Sequence, residues 1–161
     1  MGMEVLQGGM RPGELPLDTV DIVSNPYFGG APAAMQATGL VRLAKAGDAA
    51  AFLGMFAVSS YEDATNGNAT IVVPPAYVRF INGSVSQDTQ PSVAPTSTVE
   101  GAPYDTSVTF VPGNLLYIGA AGLWEATGTA GQEKGLVTKG NTSADDAVEA
   151  IMWGTNLTAT S

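Results

Sequence analysis

The chain has 161 residues, 45% of them apolar and 13% charged, with a net charge of -9, no cysteine and no histidine. That length and apolar content suit one compact domain with a real core, and so sparse a charge excludes neither packing nor assembly but does exclude a solvated, disordered chain. Six scattered cations, Arg11, Arg42, Lys45, Arg79, Lys134 and Lys139, form no phosphate-binding patch, so neither nucleic acid nor an anionic membrane is an expected partner.

Residues 1–35 are interrupted every few positions by Gly8-Gly9, Pro12-Gly13, Pro16, Asn25-Pro26, Gly29-Gly30 and Pro32, which forbids a long helix and leaves short extended pieces. The segment reads as an extended N-terminal arm. Val5, Leu6, Leu15, Leu17, Val20, Ile22, Val23, Tyr27 and Phe28 give it more apolar surface than a solvated tail carries, so these nine are the candidate partner-binding residues. They pack either on the chain's own domain or on a neighbour. Removal of the arm is expected to leave the rest folded.

Residues 36–161 read as a β domain. Gly39–Ala44 alternates around Arg42, a turn follows at Lys45–Asp48, and Ala51–Val58 returns, which predicts a hairpin; an Ala-rich helix over 31–46 is the competing reading. Ser59–Asn68 reads as a polar loop. Two strands, Ala69–Val73 and Ala76–Ile81, are expected on either side of Pro74-Pro75, which demands an edge or a corner. Residues 82–105, rich in Ser, Thr, Pro and Gln, read as a long loop excursion. Strands are then expected over Thr106–Val111, Asn114–Ile118, Leu123–Ala126, Lys134–Lys139 and Ala147–Trp153, before a polar tail, Gly154–Ser161. Short runs separated by turns give a mainly β fold, a small antiparallel barrel or sandwich carrying an extended arm.

Residue chemistry points away from catalysis. Without histidine or cysteine, Ser-His-Asp and Cys-His nucleophiles, thiolate metals and disulfides are all removed. Carboxylates could still work in pairs, and Asp145-Asp146 with Glu149, or Glu62-Asp63, are the nearest candidates; neighbouring acids in turns ordinarily just face water. No enzyme activity and no cofactor is expected. Glu62, Asp63, Asn66 and Asn68 around Gly67 offer hard oxygens to calcium, but their spacing is not that of an EF-hand loop, and an ordinary turn explains them better. Trp124, Trp153 and Tyr117 could stack on a sugar or fill a core, and their Leu, Ile and Met neighbours favour the core. There is no run of about 18 apolar residues to span a bilayer and no basic, apolar leader, so a soluble product made in the cytoplasm is expected. A weakly charged surface rich in small residues suits a covered, assembled state, a homo-oligomer.

The order Gly113-Asn114-Leu115-Leu116-Tyr117-Ile118, Gly122-Leu123-Trp124, Lys134-Gly135-Leu136-Val137 and Ser143–Trp153 resembles the closing module of small capsid decoration, or cement, proteins of tailed bacteriophages. Gly39–Leu43 and Phe52–Phe56 are similar to the opening strands of such chains. The resemblance implies a virion structural protein on the outer surface of an assembled head. It also implies an arm at 1–35 contacting the major capsid protein, and a symmetric cluster, a trimer rather than a dimer. Asn114 in place of an Asp after the Gly, and the insertion at 82–105, depart from that pattern and keep open a head fibre or a receptor- or carbohydrate-binding module of a virion.

Overall fold

A computed structural model describes residues 2–82, 84–87, 98–141 and 147–153 of the chain. The described residues contain strands β1 (Met3–Met10), β2 (Leu15–Pro16), β3 (Pro32–Met35), β4 (Val41–Leu43), β5 (Phe52–Phe56), β6 (Asn68–Ala69), β7 (Ile71–Ile81), β8 (Ser84–Gln87), β9 (Thr98–Gly101), β10 (Leu115–Ile118), β11 (Trp124–Glu125), β12 (Gly135–Lys139) and β13 (Ala147–Met152). Two short helices, α1 (Asp21–Ser24) and α2 (Ser60–Asn66), and a 3-10 turn at Ala49–Ala51 complete them. The fold is mainly β, as expected, and its main sheet is an antiparallel half-barrel.

The sheet runs in the order β11-β10-β12-β13-β7-β5-β3-β4, with β1 also paired to β7. Alternation explains which face of it is buried. Ala76, Val78 and Phe80 of β7 point inward with Val148, Ala150 and Met152 of β13, while Tyr77, Arg79, Glu149 and Ile151 take the other face, where Glu149 is buried among its neighbours. Inside the curl, Phe52, Phe80 and Trp124 meet, Trp124 lying edge-on to Phe52 at 5.7 Å between ring centroids. Tyr104 and Phe110 close the same core from a chain segment that has no strand of its own.

Several expectations are corrected. Gly39–Ala44 and Ala51–Val58 do not form a hairpin with each other: β4 and β5 both pair with β3, which lies between them. Ala33 and Ala34 allow this, since small side chains let neighbours close on both flanks, and both are fully buried. The Pro74-Pro75 pair does not split two strands; β7 runs through it for 11 residues. Opposite it β1 bulges, its register jumping between Gly8 and Met10, so the two missing proline donors face an interrupted ladder. Thr106–Val111 is a turn instead of a strand. Asp105 there accepts bonds from the Ser107 amide at 2.9 Å and hydroxyl at 2.6 Å, offering the backbone an alternative to pairing. Within the excursion at 82–105, β8 and β9 pair as a hairpin of their own; residues 88–97 and the tail at 154–161 lie outside the described residues.

Residues 2–35 are woven into this body instead of standing apart from it. Met3 and Val5 pack against the main core from β1, and Leu17, Ile22, Tyr27, Ala31 and Ala33 supply much of a second apolar cluster with Val41, Phe56 and Ile71. The expected boundary after residue 35 falls at the end of β3, a strand paired on both flanks. Prolines and glycines that break up a helix serve here as corners between short packed pieces.

Candidate interaction surfaces

The nine candidate residues of the N-terminal segment divide by direction. Leu17, Ile22 and Tyr27 are anchors inside the chain's own core. Val5 and Leu15 pack partly against it, and Leu6 and Phe28 are half-buried, the Phe28 ring lying against Gly101. Val20 and Val23 face solvent, at 81% and 47% exposure. The Asp18 carboxylate produces that display: it accepts the amides of Val20 at 3.1 Å and Asp21 at 2.9 Å, starting α1 so that Ile22 turns in while Val20 and Val23 turn out. Met10, 65% exposed at the end of β1, belongs with them and escaped the sequence reading because its strand partner is 63 positions on, at Val73.

Beneath these residues sits a buried polar lock. The Tyr27 ring stacks on Phe56 at 3.6 Å, its hydroxyl donates to Asp63 Oδ2 at 2.7 Å, and its amide donates to Ser60 Oγ at 3.1 Å. Asp63 Oδ1 accepts the Thr70 amide at 3.1 Å. Burial pushes the Asp63 carboxyl up from 3.8 to about 6, although the bonds from Tyr27 and Thr70 favour its ionised form. Burial, and then the neighbouring Asp63 charge, raises the Tyr27 phenol as well. The stretch expected as a polar loop is thus the helix α2, ending at Gly67 in the left-handed region (φ 78°). Ser59 followed three positions later by Glu62 is the sequence signal for its start. The helix turns Asp63 inward and leaves Glu62 and Asn66 exposed, so the four oxygen-bearing side chains considered for calcium do not act as one loop.

A second display lies on the outward face of the sheet. Cross-strand register puts Glu4, Arg79, Glu149 and Lys139 in one row over β1, β7, β13 and β12. Their charges alternate, and the row is closed by ion pairs of 2.9, 3.4 and 3.9 Å. Glu149, one of the carboxylates weighed for acid-base work, is spent in this row; Asp145-Asp146 lie outside the described residues. Beside the row Pro75, Tyr77 and Ile151 line an open, largely apolar depression of about 460 Å³, with Ile151 46% exposed.

The aromatic trio separates. Trp124 is fully buried and its indole donates to the Gly30 carbonyl at 2.8 Å, while Trp153 is half-buried and donates to the Glu133 carbonyl at 3.0 Å. Tyr117 lines a cavity. Among the described residues no helix is long and apolar enough to cross a membrane. No family model matches this chain, and a search of curated proteins finds no match either.

Proposed function

We propose that this chain is a virion structural protein, a decoration protein that binds the outer surface of an assembled phage head through the N-terminal segment. The observation that carries this reading is where the apolar exposure falls. Met10, Val20 and Val23 are three of the five large hydrophobic side chains exposed among the described residues, and all lie within the first 35. Leu17, Ile22 and Tyr27 anchor the same segment, so the side chains on display are held in place and lose little freedom on docking. The carboxylates at Asp63 and Glu149 serve the fold, consistent with a protein that acts by position.

A protein that binds the assembled lattice and not the free subunit stabilises the lattice by mass action, and copies repeated by symmetry, clustered as trimers, make weak contacts sufficient. The partner is the major capsid protein. Purified chain is expected to co-sediment with assembled heads and not with unassembled capsid protein. A Val20→Ser, Val23→Ser double variant keeps its circular dichroism and melting temperature but loses head affinity roughly tenfold or more, as removal of two buried valines implies. Undiminished binding by that variant, or no binding by the parent chain, overturns the proposal.

A further inference from the structure

A cavity opens beside Tyr117. It holds about 270 Å³, room for one six-membered sugar ring, and three separate chain segments wall it: the loop at 46–49, the end of β10 with residues 119–120, and the loop from Glu125 to Gln132. Tyr117 and Glu125 are direct cross-strand partners on β10 and β11, so their side chains rise on the same face. Glycines bring the walls close. A Cβ on Gly128 would strike the Tyr117 ring, and one on Gly119 would strike the Glu125 carboxylate.

The Glu125 carboxylate is half-buried in this cavity and has no hydrogen-bond or ion-pair partner among the described residues. No Lys or Arg lines the site to balance it, which opposes an anionic ligand. An apolar ligand would strip water from the carboxylate and return nothing. Thr127, Thr129 and Gln132 add groups that both donate and accept, which an ammonium ion, a donor only, would leave half used. Hydroxyl groups donate and accept alike, and the Tyr117 ring offers an apolar surface for the C–H face of a pyranose.

We propose that this cavity is a binding site for a neutral monosaccharide unit, with Glu125 accepting two ring hydroxyls, Gln132 and the threonines completing the polar contacts, and Tyr117 stacking. The site shares no residue with the head-docking side chains and is tested on the purified chain alone, so its failure and that of the decoration role are told apart.

The test titrates the isotope-labelled whole chain with glucose, galactose, mannose and N-acetylglucosamine in turn, following backbone amide resonances, with propylammonium as the cationic comparison. At least one sugar is expected to shift the amides of Gly119, Glu125, Thr127 and Gln132 saturably in the millimolar range. Glu125→Ala lowers that affinity roughly tenfold, the loss of a charge-assisted bond pair. Gln132→Ala, on an exposed turn, gives a second variant whose fold is not at stake and lowers affinity several-fold. Sugars that shift none of these amides overturn the proposal, as does saturable binding of propylammonium without any sugar, or sugar binding that neither variant weakens.

Discussion

Asp63 carries the clearest residue-level consequence. In the folded chain its carboxyl keeps a proton up to about 6, whereas an exposed aspartate releases it near 3.8. Between those values the native state holds more protons than the unfolded one, so the stability this group contributes is full below the lower value and is lost as pH rises through the upper. The swing is on the order of 3 kcal/mol. Asp63→Asn, which retains an acceptor for Thr70 and a polar partner for Tyr27, is expected to flatten the dependence of melting temperature on pH across that window. A variant whose profile matches the parent's would sink this assignment. The pairing was not legible in the sequence because Tyr27 and Asp63 are 36 positions apart, and an acidic residue beside Glu62 reads as solvated until α2 turns it inward. Leu17, Ile22 and Tyr27 were legible as apolar side chains in need of cover; what supplies the cover was not.

Among the elements, β1 and β7 show how local chemistry fixes a pairing. Gly8 and Gly9 sit at φ 72° and 81°, and a Cβ on Gly8 would press on the Pro75 carbonyl oxygen. Gly8→Ala combines a left-handed backbone with that contact and is expected to cost about 1–3 kcal/mol, read as a lower urea midpoint at unchanged slope. The closing strands β10 to β13 were readable from short alternating runs between turns, because each pairs with a neighbour near in sequence or lies half-buried. The arrangement of β3, β4 and β5 was not. A four-residue strand of Pro, Ala, Ala and Met carries no alternation, and its position between two better strands is settled by tertiary packing alone. The turn at 105–108 misled in the opposite way, since Thr106–Val111 has strand composition and Asp105 overrides it.

At the scale of the whole molecule, the N-terminal segment is part of the fold. Deleting residues 2–35 removes β1, β3 and five members of the second apolar cluster. The truncated chain is expected to lose cooperative thermal unfolding and to bind a hydrophobic dye, unlike a chain that merely sheds an arm. A sharp, parent-like melt would restore the picture of a separable strap. The consequence for head binding is that docking must be probed by substituting outward side chains, since truncation cannot separate lost contact from lost structure. The centre of the molecule is β7, which pairs with β1, β5 and β13, strands drawn from the opening, middle and closing parts of the sequence. Such long-range pairing predicts slow assembly. During vectorial synthesis, Val78 and Phe80 leave the ribosome tunnel well before Val148 and Ala150, the residues that will shield them. The growing polypeptide therefore carries an unmated strand flank until β13 has been made, the interval in which a chaperone, or another nascent copy, competes for it.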